Sequence, residues 1–346
     1  MKKNTRFAFN AYLQQLARLN GVAVEELSSK FTVEPSVQQT LEDQIQQSAA
    51  FLTLINVTPV TEQSGQLLGL GVGSTIAGTT DTTAKEREPV DPTLMVDVEY
   101  KCEQTNFDTV LTYAKLDLWA KFQDFQVRIR DAIVKRQALD RIMIGFNGVK
   151  RVKTSNRSEN PLLQDVNKGW LQKIREDAPD HVMGSTTTGA VKVGKGGEYA
   201  NLDAVVMDAV NELIDVVYQD DDDLVVICGR ELLSDKYFPL VNKEQENSEK
   251  LAADMIISQK RMGGLQAVRA PFFPPNALLI TRLDNLSIYW QEDTRRRSVI
   301  DNPKRDRIEN FESVNEAYVV EDYRCAALVE NIQIGDFSAT AAEAGA

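Results

Sequence analysis

The chain has 346 residues, 42% hydrophobic and 26% charged, an ordinary globular composition with length enough for two domains or one domain with large insertions. A formal charge of -12 excludes a protein that coats nucleic acid by neutralising phosphates, so any nucleic-acid contact must be local. Cys102, Cys228 and Cys325 lack the paired spacing of a zinc site and read as the reduced thiols of a cytosolic protein; no apolar run approaches the length of a membrane span, and the N-terminus is unlike a signal peptide.

Residues 5 to 19 predict an amphipathic helix with Thr5 as its cap, apolar at Phe9, Tyr12, Leu13, Leu16 and Leu19 and ended by Asn20-Gly21. The small and polar residues that follow, up to Pro35, predict an exposed connection open to a protease. Ser36 with Gln39 forms a capping box for a second helix carrying Val37, Leu41, Ile45, Ser48 and Leu52 on one stripe. From Val57 to Tyr113 short apolar runs alternate with Gly and Thr. They predict a long two-stranded excursion with its tip near Gly78 to Pro92 and a return strand at about Leu94 to Cys102. Two strands alone are marginal in water, so such an arm needs a surface to lie on, and a neighbouring subunit is the obvious one.

Lys115 to Asn147 is the beam of the chain. Leu118, Phe122, Phe125, Ile129, Ala132, Leu139, Met143 and Phe146 recur at helical spacing, broken only by Arg136. Asp117/Lys121, Asp124/Arg128 and Asp131/Lys135 supply ion pairs for a polar face. The pattern predicts one helix of roughly 28 residues, about 42 Å long, with stops at Gly145 and Gly148. Lys150 to Glu198 reads as poorly structured apart from a short helix around Val166 to Arg175. Asn201 then caps a helix whose stripe is Leu202, Val205, Val206, Ala209, Leu213 and Val216. LVVIC at 224 to 228 predicts a buried strand, and RELLSDKYF another short helix. From Leu265 strands dominate, with Leu283-Asp284-Asn285 as a hairpin turn between ALLIT and LSIYWQ; the tail reads as frayed. The fold class is α+β.

Chemistry-bearing motifs are few. GLGVGSTIAG at 69 to 78 has no helix opening after it, and VGKGGEY at 193 to 199 lacks the closing Lys-Ser/Thr of a phosphate loop. His181 is the only histidine, and Asp220 to Asp223 lacks the spaced ligands of a calcium loop, so the expectation is no catalytic residue, no metal and no cofactor. Arg295, Arg296 and Arg297, with Lys304, Arg305 and Arg307 nearby, form a basic cluster interleaved with acids that suits a phosphate backbone or an acidic patch on a neighbour, the neighbour being the favoured reading. Lys85 and Arg87, near the arm tip, are further candidate inter-subunit contacts.

TRFAFNAYL, KFTVEPSVQQTL, LDLWAKFQDFQVRIRDAIVKRQALDRIMIGFNGVKR, NPLLQDVNKGWLQKIRE, VGKGGEYANLDAVVMDA, DLVVICGRELLSDKYFPLVN and ENFESVNEAYVVEDY together resemble the major capsid proteins of P2-like tailed phages, in order and over nearly the whole chain. The resemblance implies the HK97-like capsid fold: a long spine helix, an extended β-hairpin arm, a peripheral sheet domain and a mixed α/β axial domain. It divides the chain into a removable N-terminal helix at 1–31, an N-terminal arm at 32–56, the extended loop at 57–113 and the spine helix with the first part of the peripheral domain at 114–199. The axial domain takes 200–265, and 266–346 holds the remaining axial strands and the return to the peripheral domain. It also implies cleavage by a phage protease within Ser28 to Thr32, with Lys30, Phe31 and Thr32 as candidate positions. The implied partners are further copies in hexamers and pentamers, a scaffolding protein and prohead protease, a portal protein and double-stranded DNA enclosed without sequence specificity, but no membrane. Assembly is expected in the host cytoplasm and the product is the virion capsid. A non-viral encapsulating compartment of the same fold and a nucleotide-binding enzyme are the alternatives.

Overall fold

The computed structural model describes residues 1–72, 77–89, 93–119, 125–184, 189–241 and 260–338. Its helices are α1 (Lys3–Asn20), α2 (Pro35–Gln47), α3 (Tyr113–Trp119), α4 (Phe125–Asn147), α5 (Trp170–Asp177), α6 (Leu202–Leu213), α7 (Val216–Gln219) and α8 (Arg230–Val241). The strands of the N-terminal half are β1 (Phe31–Thr32), β2 (Asn56–Val60), β3 (Ser64–Val72), β4 (Thr93–Lys101), β5 (Glu103–Asn106), β6 (Thr109–Thr112), β7 (Val182–Met183) and β8 (Val191–Val193). Those of the C-terminal half are β9 (Leu224–Cys228), β10 (Arg261–Met262), β11 (Leu265–Arg269), β12 (Leu278–Arg282), β13 (Leu286–Gln291), β14 (Arg296–Asn302), β15 (Arg307–Val320), β16 (Ala327–Val329) and β17 (Ile332–Ile334).

Two sheets organise these elements. A peripheral sheet runs β1-β14-β15-β13-β2, with β5 and β6 also pairing the long β15; an axial sheet runs β10-β11-β9-β12-β16-β7. One apolar core joins them. Ile142, Ile144 and Phe146 of α4 and Trp170, Leu171 and Ile174 of α5 pack on Ile288 and Tyr318 from the peripheral sheet and on Ile227, Leu279 and Leu328 from the axial one. Gly145 makes the helix–helix contact possible: a Cβ there would lie 2.2 Å from the Trp170 ring, so only Gly admits it. The helix runs through this residue to Asn147, and Gly145 is a packing position instead of the expected stop.

The axial unit follows the sequence pattern closely. The Asn201 side chain accepts from the Ala204 N–H at 2.9 Å and caps α6, whose Leu202, Val205, Val206 and Ala209 are buried. All five residues of β9 are buried, as a strand covered on both faces requires. Val216 leaves the expected stripe and is exposed, because Asp215 caps a separate short helix there. Leu283-Asp284-Asn285 is a crossover and not a hairpin turn: β12 pairs with β9 and β16 in one sheet, β13 with β15 and β2 in the other.

In the peripheral unit several expected faces are turned. The first helix begins at Lys3, and Thr5 is buried inside its first turn instead of capping it. The second begins at Pro35 after Glu34, whose backbone leads directly into the helix, so the Ser36/Gln39 box is not used. On α4, Ala132 and Arg136 of the expected seam are exposed. The buried stripe passes through Val134, Gln137, Ala138, Arg141 and Ile142. Continuity between Trp119 and Phe125, and the ion pairs that involve Lys121 and Asp124, lie outside the described residues.

Candidate functional site

Three features of the peripheral unit bear on function: the arm, the docked N-terminal segment and a buried ionic centre. In the arm, β3 and β4 run antiparallel in a nine-pair register from Ser64↔Lys101 to Val72↔Thr93. Among the described residues they pair with no other strand, so both outer edges carry unpaired backbone groups. Gly69 and Gly71 sit within β3 and form no phosphate-binding loop. The tip, residues 77–89, is exposed, and Lys85 reaches Glu88 at 3.0 Å while Arg87 projects into solvent.

The N-terminal segment covers the other end of the unit. Phe9, Leu16, Ala17, Leu27 and Phe31 are buried against Val33, Tyr113, Leu116, Val299 and Ile308. Polar clamps hold its rim: Arg6 pairs with Asp301, which also accepts from the Tyr113 hydroxyl; the Lys2 N–H reaches Asp117 at 2.8 Å; and Arg297 donates to the Tyr12 hydroxyl at 2.8 Å. Beneath the segment a cavity of about 550 Å³ remains, walled by Leu16, Leu19, Val37, Leu41, Ile133 and Ile308. Of the candidate cleavage positions, Lys30 ends the exposed run Ser28 to Lys30. Phe31 and Thr32 are paired in β1 with Arg297 and Arg296, and Phe31 is buried. The connection is thus less open than its composition suggests.

The ionic centre lies where α2, α4, β14 and β15 meet. Arg141 donates to Glu316 at 2.6 and 2.8 Å and to Glu42 at 2.6 Å. Arg295 donates to Glu312 at 2.7 Å, to Gln137 at 2.9 Å and also to Glu42. All of these side chains are buried, Arg295 completely. That removes Arg295 from the candidate inter-subunit surface: its guanidinium faces inward because the chain supplies two carboxylates and an amide there. Arg296 is exposed, and Arg297 is half-buried on Asn310 and Tyr12. The run Arg295-Arg296-Arg297 is therefore a strand entering the sheet with alternating faces, not one basic patch.

Burial pushes the carboxyls of this centre up, and the guanidiniums oppose it. For Glu42, Arg141 and Arg295 prevail and hold the group below the ordinary carboxylate range; for Glu312, Arg295 and Arg297 do the same. For Glu316 burial prevails over Arg141 and the carboxyl stays raised, with one oxygen meeting no donor. The sequence held a signal for this centre. Gln38/Glu42 and Gln137/Arg141 stand at i,i+4 beside apolar positions, and Glu312 and Glu316 share a strand face with Val314 and Tyr318. The three thiols are buried and unpaired, with Cys102 pushed up to about 12 and Cys228 and Cys325 to about 11 by burial, so they stay protonated. Among the described residues no group of His, Cys, Asp and Glu is placed to hold a metal ion, and no helix is long and apolar enough to cross a membrane.

Comparison with known proteins agrees with this architecture. The model of the family "Phage major capsid protein, P2 family" matches residues 8–332. The chain is 58% identical to the capsid protein of Escherichia phage P2, covering all of both chains. It is 40% identical to the major capsid protein of Serratia phage KSP20, over 96% of this chain and 97% of that one. A chain of the satellite phage P4 procapsid, solved with its size determination protein, superposes with a TM-score of 0.81 at 55% identity, over 98% of this chain and 100% of that one. The capsid of an empty GTA particle, at 14% identity and a TM-score of 0.51 over 83% of this chain and 90% of that one, shares the fold alone. The fold is HK97-like, and the chain belongs to the P2 family of phage major capsid proteins, structural proteins of the phage head.

Proposed function

We propose that copies of this chain assemble as hexamers and pentamers into an icosahedral head that encloses double-stranded DNA. A scaffolding protein and a portal at one vertex take part, and a phage protease removes the N-terminal segment near Lys30 to Thr32 during maturation. The observation that carries the reading is the β3–β4 hairpin, which among the described residues pairs with no other strand and touches its own body only near its root, where Tyr100 packs on Tyr289. Laid on a neighbour, each arm buries apolar surface worth roughly 25 cal/mol per Å² before association costs, and many such contacts close a shell. Expansion of the shell on DNA filling is a rigid-body rearrangement at these contacts, and removal of the docked segment, which exposes Tyr113, Leu116, Val299 and Ile308, makes it one-way.

Electron microscopy of the expressed chain, with and without its scaffolding protein, tests the assembly. Deleting Gly69 to Asp91 is expected to leave the subunit folded and abolish closed particles; particles of normal yield from the deletion would refute the role of the arm. Mass spectrometry of mature particles tests the cleavage, which predicts a chain lacking the segment before Lys30 to Thr32.

A further inference from the structure

The candidate cleavage positions lie in a stretch that the fold closes at both ends. Asn20, buried at the end of α1, accepts from the Glu34 N–H at 3.2 Å and donates to the Leu16 carbonyl at 2.9 Å, so the residues before and after the stretch are joined directly. Between them Leu27, Phe31 and Val33 are buried, which leaves only Ser28 to Lys30 exposed next to the site. Phe31 and Thr32 then pair with Arg297 and Arg296 of β14, and the Val33 N–H donates to the Arg295 carbonyl at 2.9 Å. A protease takes its substrate as an extended strand, with hydrogen bonds to the backbone and pockets for the side chains around the bond it cuts. Here the backbone of β1 is already engaged by β14, and the Phe31 side chain is already in a pocket of its own chain.

The same strand, β14, also holds α1. Its Asp301 accepts from Arg6 and from the Tyr113 hydroxyl, and its Arg297, the partner of Phe31 in the ladder, donates to the Tyr12 hydroxyl at 2.8 Å. Phe9, Leu16 and Ala17 of α1 share one apolar cluster with Leu27, Phe31 and Val299. Helix and strand thus support each other on β14, and loosening one loosens the other. We propose that the docked segment shields its own cleavage site, so that a protease cuts only those subunits in which β1 has peeled from β14. The inference rests on the reading that a phage protease cuts within Ser28 to Thr32. Because reclosing competes with cutting, the cleavage rate follows the population of the peeled form, and whatever weakens α1 on β14 speeds it. An open linker would be cut at a rate indifferent to Asp301.

Limited digestion of the purified full chain with trypsin reads the shield without the phage enzyme, at the bond after Lys30 and, as an internal standard, at the exposed Lys85 and Arg87. Asp301→Ala, which releases Arg6, is expected to raise the rate after Lys30 at least tenfold and to leave the rate at Lys85 and Arg87 unchanged. Equal rates after Lys30 in variant and parent would overturn the shield. Should Asp301→Ala lower the melting temperature of the whole subunit, a disulfide across the ladder carries the test. The Val33 bond to Arg295 makes the adjoining Thr32↔Arg296 the closer, non-hydrogen-bonded kind of pair, about 4.5 Å between Cα atoms, and both side chains are exposed. The native thiols are all buried, so T32C/R296C closes without competition. Its oxidised form is expected to resist trypsin after Lys30 at least tenfold better than its reduced form; equal rates in the two forms would overturn the shield. Co-expression with the phage protease then tests the reading beneath it. Faster loss of the segment from Asp301→Ala than from the parent supports both; a parent chain that keeps its segment, while trypsin shows the expected differences, refutes the cleavage reading and leaves the shield standing.

Discussion

The axial and peripheral sheets are held by different forces. Around β9 and β12 the interior is Val226, Cys228, Leu278 and Ile280 with Val205, Val206 and Ala209 of α6 above them, close-packed and largely uncharged. Around β15, two arginines and three glutamates meet out of water. An apolar core tolerates small shifts and is insensitive to pH. An ionic core works only when every partner is in place, and here the partners come from positions as far apart as 42, 141, 295 and 316. The peripheral unit, from which both the arm and the N-terminal segment spring, is thus the more conditional of the two.

The sharpest way to break that contrast is Arg295→Ala. It removes the guanidinium bonded to Glu312 and one of the two that hold Glu42, leaving only Arg297 near the first and Arg141 on the second, and loss of one partner from a buried pair costs about 3–5 kcal/mol. Thermal unfolding of the subunit followed by circular dichroism should show the loss; a change of only a degree or two would mean that the centre is hydrated and contributes little.

Acid should act on the same unit next. Glu42 and Glu312 are held below their ordinary value, so the stability they contribute is present above about pH 4.3 and is lost as pH falls through their depressed folded values. Glu316, raised by burial, runs the other way: its contribution is present at low pH and lost as pH rises through its folded value. Glu42 and Glu312 thus contribute a loss of stability on acidification below about pH 4, and Glu42→Gln should flatten that part of the fall. Melting temperatures across pH 3 to 7 decide it; an unchanged slope in Glu42→Gln would remove Glu42 from the linkage.

On the axial side the matching change is milder. Ile280→Val deletes one methylene from a fully buried position and should cost about 1 kcal/mol, equally at pH 4 and pH 7. Dependence on pH there would mean that the two sheets do not differ as described.

The same contrast explains what was legible in the sequence. LVVIC, the Asn201 cap and the α6 stripe are readable because burial there follows hydrophobicity, and the two strands of the arm are readable from short apolar runs alternating with Gly and Thr. The α4 face was misjudged because Gln137 and Arg141 look like solvent residues until their partners, 175 positions away in Glu312 and Glu316, are brought beside them. Arg295 likewise reads as a surface residue, since its carboxylate partner Glu42 is 253 positions away. The crossover at Leu283 to Asn285 reads locally like a hairpin turn; which sheet each strand joins is decided by β9, β15 and β16, far from the turn itself.

The smallest expected effect on the subunit is at the arm tip, and its smallness is informative. Lys85 and Glu88 form a pair in which both side chains are more than half exposed, so water already solvates each partner nearly as well as the other does. Lys85→Ala should therefore leave the melting temperature of the unassembled subunit unchanged and, on the proposal that the arm lies on a neighbour, lower the yield of closed particles a few-fold. The two readouts separate because, among the described residues, the strands that lead to the tip pair only with each other, from Ser64↔Lys101 outward. A fall in melting temperature equal to that of an axial core change would mean that the tip is packed on its own subunit, and the division between a self-sufficient body and an arm completed by a neighbour would fail with it.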